Sequence, residues 1–206
     1  MQPIKVLLAD DHAIVRMGLA SLLGTKNDIE VVGEAEDGEA AVRKVLKLAP
    51  DVVIMDLMMP KMDGVEATAE IHRRLPDVKI MVLTSYGASD GIAHALSAGA
   101  TGALMKSTEF SEFVSAIRSI AAGQHVIAPE IARQLSEDPP VPELTPRQAE
   151  ILQSITRGLT NADIAKQLGI REDSVKEHVN AIFTKLGAAN RSEAITIAMR
   201  KHLLKF

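Results

Sequence analysis

Asp51-Val-Val-Ile-Met-Asp56-Leu-Met-Met-Pro60-Lys-Met-Asp-Gly64 is the stretch that decides the fold. Its four consecutive apolar residues, 52–55, are too few for a helix and predict a strand buried on both faces, as in parallel sheets. The strand ends at Asp56, after which the chain turns through Pro60 and Gly64. Ligands bind at the carboxyl ends of strands in open α/β sheets. Asp56 is therefore a candidate site residue, although an Asp that follows a strand is also an ordinary turn residue.

Other apolar runs end in the same way. Residues 5–9 lead into Asp10 and Asp11, residues 80–83 into Thr84, and residues 102–105 into Lys106. In a parallel sheet these ends lie on one edge, so the fold would gather three carboxylates, a hydroxyl and an ammonium into one pocket.

Such a pocket suits phosphoryl chemistry. Packed carboxylates repel one another, and a cation stabilises the cluster. Mg²⁺ is the expected ion because it prefers oxygen ligands and keeps several waters. Asp56 can act as the nucleophile, Mg²⁺ and Lys106 can neutralise the transferred oxygens, and the Thr84 hydroxyl can donate to them afterwards.

These residues and their spacing resemble the receiver domain of two-component response regulators. The phrases Ala9-Asp-Asp-His-Ala-Ile-Val-Arg16-Met-Gly18 and Ser97-Ala-Gly-Ala-Thr-Gly102 resemble the NarL/FixJ subfamily in particular. The resemblance implies that Asp56 accepts a phosphoryl group from a sensor histidine kinase. It also implies that Asp11, Asp56 and the backbone carbonyl of Met58 hold Mg²⁺, that Asp10 assists through water, and that Thr84 and Lys106 respond to phosphorylation.

Strand and helix patterns alternate strictly over residues 1–123, which predicts a doubly wound, five-stranded, flavodoxin-like parallel sheet. Residues 124–143 are expected to be a linker. Pro129 can start a short helix that reaches Leu135, and the Pro-rich segment after it is typical of an exposed, semi-rigid connection.

Residues 144–206 predict a second, all-α domain of four helices. Thr145, Pro146 and Gln148 form a capping-box pattern that starts the first helix. Helices over 161–168 and 172–186, separated by Gly169, have helix-turn-helix spacing. The motifs Gly158-Leu-Thr-Asn, Ile164-Ala-Lys-Gln-Leu-Gly-Ile170 and Val175-Lys-Glu-His-Val179 resemble the LuxR-type DNA-binding domain.

A helical wheel of residues 171–186 places Val175, Val179, Ile182 and Leu186 on the core side. On the opposite side Lys176 and Asn180 can meet base edges, and Glu177 can accept from a cytosine amino group. Candidate phosphate contacts, each equally explained as a solvated surface cation, are Lys166, Lys185, Arg191, Arg200 and Lys201.

One such domain buries little surface, so specificity normally needs two copies on two half-sites. The resemblance implies a homodimer that forms on phosphorylation and binds inverted repeats in double-stranded DNA. Apolar residues of the last helix, Ile195, Ile197, Ala198 and Met199, are candidates for the dimer surface or for the domain core.

Charge and composition agree with this division. Residues 1–143 carry 13 Lys and Arg against 21 Asp and Glu, whereas residues 144–206 carry 10 against 6. A basic domain after an acidic one favours nucleic-acid binding. The chain has no Cys, and no stretch approaches the length of a membrane span. We expect a soluble, cytoplasmic protein.

Five positions depart from the family pattern, and one of them, Ser107, replaces the Pro that often follows the Lys. Ala103 stands where receivers usually have Tyr or Phe, and Tyr86 is a candidate to cover the phosphorylation site instead. Arg171 replaces a helix-capping Ser, and Asp173 and Glu177 add negative charge to the DNA-reading helix.

Two alternatives follow from these features. An interaction module with a degenerate switch and weak DNA binding would explain Ala103 and Glu177. A phosphatase of the aspartyl-phosphate type would need an acid two residues after the nucleophile, where this chain has Met58. We therefore expect a switch and not a turnover enzyme.

Overall fold

The computed structural model describes residues 2–85, 89–137, 141–142, 144–201 and 203, which form two compact units divided after residue 138. The strands of the first unit are β1 (Ile4–Ala9), β2 (Ile29–Ala35), β3 (Val52–Asp56), β4 (Lys79–Thr84), β5 (Gly102–Met105) and β6 (Val126–Ile127). Its helices are α1 (Ala13–Leu23), α2 (Gly38–Leu48), α3 (Gly64–Arg74), α4 (Ser89–Ser97), α5 (Phe110–Ala121) and α6 (Pro129–Glu137). The second unit contains α7 (Pro146–Thr156), α8 (Asn161–Leu168), α9 (Glu172–Leu186) and α10 (Arg191–Arg200).

The strands of the first unit form one parallel sheet in the order β2-β1-β3-β4-β5-β6. Every residue of β3 and β5 is buried, as the continuous apolar runs predict for strands with both faces covered. The parallel arrangement places the carboxyl ends of β1, β3, β4 and β5 along one edge, which confirms the predicted fold class.

Among the described residues the sheet has six strands, so the predicted number of five was wrong. Val126 pairs with Gly102 and Ile127 with Ala103, which adds β6 at the edge of the sheet. The following helix, α6, packs against α4 and β5 and buries Ile131 completely. Residues 126–137, predicted to belong to a linker, are thus part of the first unit.

Side-chain caps begin several helices, among them the predicted capping box of α7. Asp37 caps α2 by accepting from the Ala40 amide, and Thr145 and Gln148 form the reciprocal capping box of α7. Thr160 and Asp163 form a second capping box at α8. Arg171 provides no side-chain cap at the start of α9, as its replacement of Ser predicts.

The second unit has its own apolar core. The buried residues of α9 are Val175, Val179, Ile182 and Leu186, which are the four that the helical wheel placed on the core side. Gly169 adopts a left-handed conformation, with φ 63°, at the turn between α8 and α9. Glycine adopts this conformation without a steric penalty, so it fits the tight turn of a helix-turn-helix.

Candidate functional site

The carboxyl edge of the sheet brings the predicted pocket residues together. Asp10 follows β1 and is 3% exposed, and Asp56 is the last residue of β3 and is 4% exposed. Thr84 ends β4 and is buried, whereas Lys106 follows β5 and is partly exposed. Four separate strands therefore supply the acids, the hydroxyl and the ammonium.

Lys106 joins the two buried acids. Its Nζ lies 2.8 Å from Asp10 Oδ2 and 2.7 Å from Asp56 Oδ2. Burial raises the pKa of Asp56, and the bond from Lys106 only partly opposes that change. Although burial acts against it, the bonds to Asp10 and Asp56 raise the pKa of Lys106. The pocket thus holds a charged ammonium against a carboxyl whose ionised form is poorly solvated.

A group of possible metal ligands lies at the same place. One ligand atom from each of Asp10, Asp11, His12 and Asp56 lies within 4.8 Å of the others. The three carboxylates fit a hard divalent cation. His12 was not predicted in this group; it is exposed, and its Nδ1 lies 2.6 Å from Asp11 Oδ1.

Met58, the fourth predicted metal ligand, lies on the loop after Asp56. Its amide is 3.4 Å from Asp56 Oδ1, so the loop returns towards the carboxylate at this residue. The use of its carbonyl as a ligand stays a prediction.

The predicted switch residues are close to the pocket. The Thr84 hydroxyl donates to the Ser85 carbonyl at 3.0 Å, and the Thr84 carbonyl accepts from the Lys106 amide at 2.8 Å. Ala103, at the usual aromatic position, is fully buried, and its carbonyl accepts from Ala128. Tyr86 lies outside the described residues, so its proposed cover over the site stays a prediction.

Several residues that the sequence did not single out hold the loops of the pocket. Arg16 donates to the Asp10 carbonyl at 2.6 Å and to Glu34 Oε2 at 3.2 Å. Lys61 Nζ lies 2.5 Å from Asp37 Oδ2. Opposite charges at separations of 18 and 24 residues were the sequence signal for the two ion pairs, and many other pairs of charged residues offer the same signal.

The candidate DNA-reading face of α9 carries mixed charge. Lys176, Glu177 and Asn180 are exposed, as predicted. Lys176 Nζ lies 3.2 Å from Asp173 Oδ1 and 3.4 Å from Glu172 Oε1, and the pairing with Asp173 is the main cause that raises the pKa of Lys176. The lysine best placed for DNA is therefore partly neutralised by its own helix.

The other candidate cations differ in their surroundings. Lys166 is exposed on α8. Lys185 Nζ lies 2.9 Å from Gln148 Oε1, and Arg191 donates to the carbonyls of Leu159 and Ile155. Lys185 and Arg191 thus contribute to the domain fold, which the sequence did not predict; their contacts with DNA stay predictions.

Lys201 and the apolar residues of α10 also differ in how far they are exposed. Lys201 is only 7% exposed, contrary to the surface position expected for a phosphate contact. On α10 Ala198 is fully buried and belongs to the core, Ile195 and Ile197 are half-buried, and Met199 is 59% exposed. Met199 is therefore the best placed of the four apolar candidates for a contact outside the domain.

The doubly wound sheet with an acidic pocket at its carboxyl edge, followed by a helix-turn-helix domain, defines a two-domain signalling regulator. Two family models match its halves: the response regulator receiver domain over residues 6–118 and the bacterial regulatory proteins of the luxR family over residues 142–198. The chain belongs to the response regulators of the NarL/FixJ subfamily, with a receiver domain and a LuxR-type DNA-binding domain.

Similar proteins support this assignment over the whole chain. The transcriptional regulatory protein LiaR of Bacillus subtilis is 43% identical, over 98% of this chain and 99% of LiaR. The response regulator ChrA of a heme-sensing two-component system has a crystal structure that is 37% identical, with TM-score 0.60 over 99% of this chain and 100% of that one. RcsB, solved as two dimers bound to two parallel DNAs, is 26% identical with TM-score 0.67, over 97% of this chain and 99% of that one.

Within the part of the chain that the structure describes, none of the helices has the length and apolar character needed to cross a membrane.

Proposed function

We propose that this protein is a phosphorylation-dependent transcription regulator in which Asp56 accepts a phosphoryl group from a sensor histidine kinase. The observation that carries the proposal is the position of Asp56. It ends a buried central strand, its carboxylate lies 2.7 Å from the Lys106 ammonium, and the Asp10 and Asp11 carboxylates complete a possible metal site beside it.

In the transfer, an Asp56 carboxylate oxygen attacks phosphorus and an O–P bond forms. The P–N bond to the kinase imidazole breaks, and the imidazole nitrogen keeps the electron pair and takes up a proton. Lys106 then pairs with a phosphoryl oxygen, and the Thr84 hydroxyl turns from the Ser85 carbonyl to donate to another. Fixed positive charge around the transferred oxygens is the main catalytic requirement of phosphoryl transfer.

Asp10, Asp11 and Asp56 would hold Mg²⁺, together with the Met58 carbonyl. The bound ion supplies charge neutralisation for the transferred oxygens. Mg²⁺ suits this donor set better than a softer metal because the carboxylates offer hard oxygen atoms in an open site.

The route of the output signal runs along β4 and β5. Thr84 ends β4, Lys106 directly follows β5, and α6 packs against β5 and α4. Met105, adjacent to Lys106, lines a groove together with Glu130, Arg133, Gln134 and Glu137 of α6. A shift of Thr84 and Lys106 towards the phosphoryl group would thus act on the helix that leads to the DNA-binding domain.

DNA binding is proposed to use α9 and a homodimer. RcsB binds DNA as dimers, and the two proteins match over nearly their full lengths. In this chain Asn180, Lys176 and Glu177 lie on the exposed face of α9, and the exposed Met199 offers an apolar contact for a second copy.

The kinase needs a surface beside the pocket. Ile14 and Met17, in the first two turns of α1, are 87% and 67% exposed and follow closely after Asp11. Exposed apolar side chains next to a reactive group are typical of a protein-binding site. We assign this face of α1 to kinase docking.

Turnover phosphatase activity is not proposed, because Met58 stands where such an enzyme needs a second acid. A phosphorylation-independent interaction module is the alternative. The pairing of Lys176 with Asp173 and Glu172, which weakens the DNA-reading face, is the observation that favours it.

The test measures intact mass and oligomeric state after incubation with Mg²⁺ and acetyl phosphate, beside Asp56→Asn. We expect the wild type alone to gain one phosphoryl group and to shift towards dimer. Phosphorylation without dimerisation would support the proposed chemistry of Asp56 and would overturn the dimer mechanism. If the wild type gains no phosphoryl group, the proposal fails and the interaction module becomes the better explanation.

A further inference from the structure

The loop between β3 and α3 is held by residues that lie outside the pocket. This loop, residues 57–63, contains Met58, whose carbonyl is a proposed metal ligand. Its far end contacts the start of α2: the Gly38 amide donates to the Met62 carbonyl at 3.1 Å, and Lys61 Nζ lies 2.5 Å from Asp37 Oδ2.

Gly38 is required for this approach. A Cβ atom at Gly38 would lie 2.4 Å from the Met62 carbonyl oxygen, closer than any real contact of this kind, and the atom that it meets is backbone. The short distance between the two loops is therefore built into the chain at Gly38, and the side chains of Asp37 and Lys61 meet beside it.

Asp37 has two partners at once. Oδ1 accepts from the Ala40 amide at 2.7 Å, which caps α2, and Oδ2 pairs with Lys61. The residue is 1% exposed, whereas the side chain of Lys61 is 61% exposed. Because the buried partner is fixed by the helix cap, the pair constrains Lys61 far more than it constrains Asp37.

Lys61 adopts a left-handed backbone conformation, with φ 65°. Non-glycine residues rarely adopt this conformation, and they keep it only where the surroundings determine it. Three contacts determine it here: the Met62 amide donates to the Pro60 carbonyl at 2.8 Å across Lys61, the Gly38 amide donates to the Met62 carbonyl, and Lys61 pairs with Asp37. The pKa values agree with a strong pair: the bond to Lys61 lowers that of Asp37, and the bond to Asp37 raises that of Lys61.

We propose that Asp37 and Lys61 form a positioning pair for the metal and phosphoryl site, fixing the loop that carries Met58, whose carbonyl would hold the ion. The inference rests on the proposed function of Asp56. Neither residue touches the reacting atoms. Residues that orient metal ligands in this indirect way typically change metal affinity by about 10-fold or more when they are replaced.

The pair can be distinguished from a simple charge effect by the sign of two substitutions. Through space, loss of the Lys61 positive charge would strengthen Mg²⁺ binding, and loss of the Asp37 negative charge would weaken it. If the pair positions the loop, both losses weaken Mg²⁺ binding. The two explanations therefore predict opposite results for Lys61→Gln.

The experiment titrates the full chain with MgCl₂ in a calorimeter for the wild type, Asp37→Asn, Lys61→Gln and the double variant. Asn retains the α2 cap because it ranks with Asp as an N-cap residue. Lys61→Arg keeps the positive charge at position 61. Asp28→Asn is the matched control. Asp28 lies just before β2 and pairs with Arg118, so this substitution also removes one carboxylate charge from an ion pair.

We expect Asp37→Asn and Lys61→Gln each to weaken Mg²⁺ binding about 10-fold, and the double variant to be no weaker than the weaker single variant, because the two residues act as one unit. Lys61→Arg and Asp28→Asn should bind like the wild type. Thermal unfolding in EDTA confirms that each variant is folded.

Stronger Mg²⁺ binding by Lys61→Gln, or wild-type affinity in both single variants, would overturn the positioning role while the proposed function stands. Absence of Mg²⁺ binding and of phosphorylation in the wild type would overturn the proposed function together with this inference.

Discussion

Lys106 Nζ lies 2.7 Å from Asp56 Oδ2, and it is the same atom that lies 2.8 Å from Asp10 Oδ2. One ammonium thus balances two carboxylates that are both almost completely buried. Even so, burial raises the pKa of Asp56. The single Lys106 ammonium therefore does not fully compensate the two carboxylates. Binding of a divalent cation, or protonation of Asp56, should then change the stability of the pocket strongly.

Asp56→Asn is expected to stabilise the metal-free protein at neutral pH. The substitution removes a buried charge and keeps the shape of the side chain. We expect a gain of about 1 kcal/mol, a rise in melting temperature of about 3 °C. Saturating Mg²⁺ should reverse the order, because the ion stabilises only the form that binds it. Thermal unfolding in EDTA and in MgCl₂ measures both effects.

The pH dependence of this gain has a defined sign. A carboxyl whose pKa is raised on folding binds more protons in the native state, so its contribution to stability falls as pH rises from about 3.9 to the folded pKa. The gain from Asp56→Asn should be complete above that pKa and should disappear on acidification. A gain that is independent of pH would contradict the assignment to ionised Asp56.

Lys106→Met is expected to destabilise the metal-free protein by about 3 kcal/mol at neutral pH, because it leaves buried carboxylates without their counter-charge. The raised pKa of Lys106 means that its contribution is complete below about pH 10 and is lost only in more alkaline solution. Mg²⁺ should restore much of the loss. Urea unfolding with and without MgCl₂ measures this, and a deficit that Mg²⁺ leaves unchanged would contradict the account.

The segment after α5 provides a test of the domain boundary. Ile131 of α6 is fully buried in the core of the first unit. We expect Ile131→Ala to destabilise that unit by about 3 kcal/mol, as is usual for such a cavity. Ala132, exposed on the same helix, allows Ala132→Ser as a control near zero. Equal stabilities of the two variants in urea would mean that α6 is not part of this folding unit.

The sequence predicted the elements whose signal is local. The apolar run before Asp56 predicted β3, the Thr145 and Gln148 pattern predicted the start of α7, and the spacing of Val175 and Val179 predicted the buried side of α9. Each signal needs only a few neighbouring residues. The pocket was predictable for the same reason, because parallel strands bring their ends to one edge.

Features that depend on distant partners were not predictable. The strand Val126–Ile127 is too short to show a period, and it exists because β5 offers a free edge. Arg191 bonds a carbonyl 32 residues away, and Lys61 pairs with Asp37 across 24 residues. Sequence spacing does not distinguish such pairs from the many other charges of the chain.

Arg191 and Lys166 should respond differently to substitution. Arg191→Ala removes bonds to the carbonyls of Leu159 and Ile155, so we expect a loss of stability of about 2 kcal/mol. Lys166→Ala, at an exposed position, should change stability by less than about 0.5 kcal/mol. It should instead weaken binding to a random-sequence duplex and reduce the salt slope by about 0.9. Urea unfolding and fluorescence anisotropy separate the two effects, and a stable Arg191→Ala would contradict the structural role.

Glu177→Gln is expected to strengthen binding to DNA of any sequence. Glu177 is exposed on α9, on the turn next to Asp173, and its carboxylate repels phosphate. Its removal should raise affinity for a random-sequence duplex about threefold at low salt, with a smaller gain at high salt because the interaction is screened. Glu150→Gln on α7 carries the same change in net charge and is the control. Anisotropy titrations of the phosphorylated full chain provide the measurement.

Equal gains in both variants would show that net charge, and not the α9 face, limits DNA binding. Weaker binding by Glu177→Gln would instead assign this carboxylate a contact with a base.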